Sequence, residues 1–160
     1  MIFKPKLTVT RFAQLSPGDL FIYNEGAGGC AAIKTAHPQD RDQPMAFSLG
    51  PTFSDKSNEP KIIGDPGGAV VSFGNDYVIR LPISPLEWGP SDKAPGDTYM
   101  VTNGDNVFFR FLSGRSEIFI DIAAGKICDG RPNGILASTK FWEIGREDGD
   151  AFQMIVKGTQ

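Results

Sequence analysis

Histidine is almost missing from this 160-residue chain, which carries one, His37. Sites that need two imidazoles are therefore excluded, and any Ser-His-Asp or Cys-His arrangement would have to use that one position. Cysteine is nearly as scarce. Cys30 and Cys128 lie far apart, with neither a CxxC pair nor a neighbouring histidine, so they are expected as free thiols and no metal site is expected. No apolar run approaches the roughly 18 residues that cross a bilayer. The opening Met1-Ile2-Phe3-Lys4-Pro5-Lys6 lacks the apolar stretch of about 7 to 15 residues of a signal peptide, which makes the cytoplasm the default expectation. Cationic excess is also lacking: 16 Lys and Arg face 19 Asp and Glu, for a net charge of -3. A generally basic nucleic-acid surface is excluded by that balance, and neither a nucleic-acid nor a membrane partner is expected. Finally, no sustained apolar stripe at i, i+3, i+4, i+7 is present, so little or no helix is expected.

Turn formers are abundant, with nineteen glycines and twelve prolines, while 40% hydrophobic and 22% charged residues are ordinary for a globular chain. Together these predict one all-β domain over residues 1–160, built of short antiparallel strands. The clearest strand sets Ile118, Ile120 and Ile122 against Glu117 and Asp121, one face for a core and one for water. Its expected partner is Val107 to Leu112, joined through Ser113-Gly114-Arg115. A second hairpin is predicted from Ala69, Val71 and Phe73 through Gly74-Asn75-Asp76 to Tyr77, Ile79 and Leu81. A third runs from Phe141 to Arg146, turns at Asp148-Gly149 and returns from Ala151 to Lys157. Leu20 to Asn24 and Cys30 to Thr35 form a fourth, with Glu25 to Gly29 as a longer loop. Ala36 to Pro44, Gly50 to Pro60 and Gly89 to Gly96 carry several turn formers without apolar period, and are expected as surface loops.

A threefold order can be traced in this pattern. Hairpin turns fall near Gly28, Asn75 and Gly114, and each is followed by a large aromatic in turn: Phe47, Trp88 and Trp142. After each aromatic comes a turn-rich gap and a further apolar segment, at Lys61-Ile62-Ile63, Thr98 to Val101, and Phe152 to Val156. On this spacing the chain resembles the β-trefoil proteins, lectin-like or inhibitor-like. The resemblance implies about twelve short strands closed as a single antiparallel barrel, which would remove unpaired edges. A Greek-key sandwich or another small antiparallel barrel fits the same strand spacing. In ricin-type trefoil lectins a Gln precedes the repeat Trp by two positions, where this chain has Leu86 and Lys140. No sugar-binding residue is therefore carried over, and Trp88 and Trp142 are expected in the core. The segment Phe12-Ala13-Gln14-Leu15-Ser16-Pro17-Gly18-Asp19-Leu20-Phe21, with Ile33-Lys34-Thr35, is similar to the opening of small bacterial and phage-borne β modules of no assigned activity.

Catalytic chemistry finds little to stand on. His37, with Asp40, Arg41 and Asp42 close behind it, is expected as a solvent-exposed loop histidine, and these four residues supply the weak loop candidates for binding. Carboxylate pairs occur at Asp40 with Asp42, Glu117 with Asp121, and Glu147 with Asp148. The second pair reads as a solvated strand face and the third as a turn, not as acid and base. Gly26-Ala27-Gly28-Gly29 and Gly67-Gly68 match no phosphate loop and open no helix. No catalytic residue, metal or cofactor is expected. What remains is a binding module without enzymatic machinery, whose loops meet a carbohydrate or a protein. A structural or assembly protein, such as a phage component, is the second reading, and a small hydrolase a distant third.

Overall fold

The computed structural model describes residues 7–26, 28–36, 43–52, 61–84, 89–90, 99–113, 115–134 and 137–158. Apart from one 3-10 turn at Phe12–Gln14, all regular structure among them is β. The first sheet holds β1 (Thr8–Arg11), β2 (Leu20–Glu25), β3 (Gly28–Thr35), β4 (Met45–Pro51), β5 (Lys61–Ile63) and β6 (Ala69–Gly74), in the order β1-β6-β2-β3-β4-β5. After β7 (Val78–Arg80), a second sheet is formed by β8 (Gly89–Pro90), β9 (Tyr99–Thr102), β10 (Val107–Ser113), β11 (Ser116–Asp121), β12 (Lys126–Ile127) and β13 (Ala137–Thr139). Its order is β12-β11-β10-β9-β13-β8. The last strands, β14 (Glu143–Asp148) and β15 (Ala151–Lys157), join β7 in a third sheet ordered β15-β14-β7. Every ladder between these strands is antiparallel.

Three of the four hairpins form. β10 and β11 pair from Phe108 opposite Asp121 to Ser113 opposite Ser116. β14 and β15 meet with Asp148 opposite Ala151, so the tight loop is Gly149-Asp150, one residue later than the Asp-Gly pattern suggests. β2 and β3 are joined more tightly than expected, since Glu25 already lies opposite Gly28. The fourth hairpin is a correction. β6 pairs with β1 and β2, whereas β7 pairs with β14, so the chain changes sheet at residues 75–77 instead of folding back on itself. Contacts from outside the segment accompany the change, and a hairpin pattern cannot show them. Arg146 donates from Nη2 to Asp76 Oδ2 (2.9 Å) and from Nε to the Asp76 carbonyl (3.3 Å), drawing the turn toward the third sheet.

The single closed barrel is likewise not what these ladders form. There are three sheets among the described residues, and fifteen strands instead of about twelve, and no sheet closes on itself. A shared core holds the sheets together: Leu20, Ile33 and Phe47 from the first, Met100, Phe109 and Ile120 from the second, Ile144 and Ile155 from the third. Phe109 sits at the junction, 5.1 Å ring to ring from both Phe47 and Trp142. Trp142 is thus a core residue, as expected, and Trp88 lies outside the described residues.

Both large sheets also bury part of their outer faces. Phe12, Leu15, Phe21, Tyr23, Ala32 and Val70 cluster behind the first, and Val101, Phe108 and Phe119 behind the second. The Lys34 ammonium lies 3.5 Å above the Phe12 ring, a cation over an aromatic face, and burial pulls its pKa down. Phe119, between Glu117 and Asp121, shows that the face expected in water is half covered.

One close backbone approach joins the first two sheets. Across it the Ala36 amide donates to the Gly125 carbonyl (2.8 Å) and the Ile127 amide to the Ala36 carbonyl (3.3 Å), while on the first sheet's side the Gly18 amide donates to the Lys34 carbonyl (2.8 Å). A Cβ at Gly125 would lie 1.9 Å from the Gly18 nitrogen, and both glycines have positive φ. Only glycine allows the backbones to meet this closely in that conformation.

Candidate functional site

Three places were expected or found to concentrate polar chemistry. His37, Asp40, Arg41 and Asp42 lie outside the described residues. The other carboxylate pairs are taken up by structure. Glu117 is ion-paired with Arg110, Asp121 Oδ1 accepts from the Ala124 amide (3.0 Å), and Glu147 meets Arg80 (3.4 Å). Gly67 and Gly68 form a turn in which the Gly67 amide donates to Asp65 Oδ1 (2.8 Å).

A second concentration lies on the outer face of the first sheet, across β2, β3, β4 and β5. The Tyr23 hydroxyl shares a hydrogen bond with Ser48 Oγ (2.9 Å) and reaches Glu25 Oε2 (3.0 Å), and Lys61 Nζ donates to Glu25 Oε1 (2.5 Å). Cys30 stands directly opposite Tyr23 on the neighbouring strand. Burial, with Glu25 close by, pushes the Tyr23 phenol up to about 12 and raises the Cys30 thiol. Both groups stay protonated near neutrality, so neither is an activated nucleophile. The network satisfies itself and reads as the polar seal of an apolar cluster.

The third place is a cleft of about 460 Å³ at the seam between sheets. Its apolar wall comes from Tyr77 and Ile79 on one side and from Val107 and Ile122 on the other. Its polar rim is Asn75, in the turn between β6 and β7, with Asp105 and Asn106, in the turn between β9 and β10. Among the described residues, none of these three side chains has an intramolecular hydrogen-bond partner. Turn residues of this kind ordinarily face water alone; here three of them, from two separate turns, border one concavity with an apolar floor.

The rim is held in place by local bonds. Asn103 Oδ1 accepts from the amides of Asp105 (3.2 Å) and Asn106 (3.0 Å), and Asn103 Nδ2 donates to the Asn133 carbonyl (3.1 Å). Thr102 Oγ1 accepts from the Gly104 amide and donates to the Asn106 carbonyl, both at 3.0 Å. Across the cleft, the Tyr77 hydroxyl points between the carbonyls of Gly18 (3.1 Å) and Ile122 (3.4 Å), tying the sheet-changing turn to the second sheet. Burial, reinforced by the charges of Asp19 and Asp121, pushes that phenol up to about 12, so Tyr77 remains a donor.

The sequence pattern predicts a hairpin turn at Asn75 and singles out neither Asp105 nor Asn106. The signal that could have drawn attention is the Asn-Gly-Asp-Asn run at 103–106, a turn with more amide and carboxylate capacity than its geometry uses. Among the described residues, no group of three or more His, Cys, Asp or Glu side chains is arranged to hold a metal ion, and no helix is long and apolar enough to cross a membrane. A scan against protein-family models, a search of curated proteins and a search of solved structures each found no match.

Proposed function

We propose that this protein is a non-enzymatic binding module whose seam cleft takes a carbohydrate. The observation that carries this reading is the pairing of an apolar wall with three unpartnered short polar side chains, Asn75, Asp105 and Asn106. A sugar ring has apolar C–H faces and an edge of hydroxyls that both donate and accept. Asparagine side chains offer donors and acceptors, aspartate offers acceptors, and together they match that edge without demanding a charge on the ligand. The wall of Tyr77, Ile79, Val107 and Ile122 suits the C–H face. The mounting of the rim turns on sheets that share a common core supports the reading, because it holds the turns in a fixed relation. Neither polar concentration among the described residues offers an activated base or nucleophile, which favours binding over turnover.

The test is a glycan array probed with the full chain, followed by calorimetric titration of retained glycans against the native protein and Asn106→Ala. Retention of a defined glycan class, with at least about tenfold weaker binding by Asn106→Ala, is the expected result. No retained glycan, or binding indifferent to Asn106 and Asp105, overturns the assignment. A second reading, assembly through an exposed edge, is favoured by Val9, 71% exposed on edge strand β1, with Leu7 beside it at 44%. Stepwise growth of mass with concentration in light scattering, abolished by Val9→Lys, would favour that reading.

A further inference from the structure

A second cleft, of about 600 Å³, adjoins the first and shares Asn75 with it. It is bordered by Thr8 of β1 and by Ser72, Gly74 and Asp76 around the end of β6. Asn75 therefore stands as a ridge between two concavities. No Lys or Arg lines either of them among the described residues, whereas Asp105 borders the first and Asp76 the second. Arg146, which holds Asp76, is neutralised by it, and its side chain is only 11% exposed.

Building on the carbohydrate reading of the seam cleft, we infer that the ligand is a neutral linear oligosaccharide whose chain passes over Asn75 into the second cleft, a further subsite. Two physical features carry this. First, two clefts that share a lining side chain able both to donate and to accept are suited to successive units of one chain. Asn75 then contacts the linkage region, and Thr8 offers a hydroxyl to the next unit, beside the buried Ser72, whose Oγ accepts from the Gly74 amide (3.0 Å). Second, Asp105 on the rim has no ion-pair partner among the described residues, while Asp76 is already paired with Arg146. A uronic or sulfated sugar would meet the Asp105 carboxylate at the rim with no cation lining the cleft among the described residues to offset it.

The experiment is calorimetric titration of the full chain with glucose, mannose and N-acetylglucosamine oligomers of one to five units, and with oligogalacturonates of the same lengths. Affinity for one neutral series is expected to rise about tenfold between the disaccharide and the tetrasaccharide. The matched acidic oligomer should bind at least about tenfold more weakly. Thr8→Trp, which fills the second cleft from an exposed strand position, should remove the gain with length and leave disaccharide affinity intact. Asp105→Asn should narrow the difference between neutral and acidic chains. Short neutral sugars that bind in the seam cleft without any gain in length, or acidic chains that bind as tightly as neutral ones, overturn this inference while leaving the carbohydrate reading in place. Failure of every saccharide to bind overturns both.

Discussion

Replacing Gly125 with alanine tests whether the first two sheets meet as closely as described, and Gly26→Ala supplies the control. The two glycines have nearly the same positive φ, +58° and +63°. A Cβ at Gly26 meets nothing within 4 Å, whereas one at Gly125 falls 1.9 Å from the Gly18 nitrogen and 2.5 Å from the Pro17 carbonyl carbon. The left-handed conformation alone costs an alanine about 1 to 2 kcal/mol, and both variants share that loss. Gly125→Ala must also push apart two backbones, and forced overpacking adds about 1 to 3 kcal/mol. If the strands part, the bonds from Gly18 to Lys34 and from Ala36 to Gly125 weaken as well, at about 1 kcal/mol each. A difference of about 3 kcal/mol between the variants follows. In a chain of this size it corresponds to roughly 6 to 12 °C in melting temperature. Urea unfolding followed by tryptophan fluorescence measures it directly. Equal losses for Gly26→Ala and Gly125→Ala would refute the close approach, and with it the joint that sets the cleft walls.

The remaining predictions concern the tyrosines and the core. Tyr23 and Tyr77 keep their protons to about pH 12, while an unfolded chain releases them near pH 10, so stability is fully present below pH 10 and declines between pH 10 and 12. Ultraviolet titration of the native protein should show at least two of the three tyrosines ionising well above pH 10, and ionisation of all three near 10 would contradict their burial. Phe109→Ala should cost about 3 to 5 kcal/mol in urea unfolding, because its ring touches both Phe47 and Trp142 at the junction of the sheets. A loss below 1 kcal/mol would deny that junction.

Much of the strand content was legible because antiparallel pairs alternate with a period of two. The β10–β11 and β14–β15 hairpins announce themselves through Ile118 to Ile122 and Phe152 to Val156, each beside a tight turn. Partner choice was not legible. Residues 69–81 have the pattern of a hairpin, yet β7 pairs with β14 in another sheet, where Arg146, distant in sequence, bonds Asp76. Burial on both faces was hidden for a related reason. Phe21, Tyr23 and Phe119 interrupt a clean inside-outside alternation, and only the folded chain shows what covers them. The cleft was least legible of all, because its rim joins turns about thirty residues apart in sequence. Asn75 could be read as a turn former, but its role beside Asp105 and Asn106 exists only once the two turns are brought together.

The seam cleft is the proposed place of ligand binding. Two-dimensional amide correlation spectra of the full chain, recorded during titration with the tightest-binding neutral oligosaccharide, address it most directly. Saturable shifts should appear in the side-chain amides of Asn75 and Asn106 and the backbone amides of Tyr77, Val107 and Ala123, with the outer face of the first sheet unchanged. Saturable shifts confined to that outer face, or none with any neutral oligosaccharide, would contradict the account.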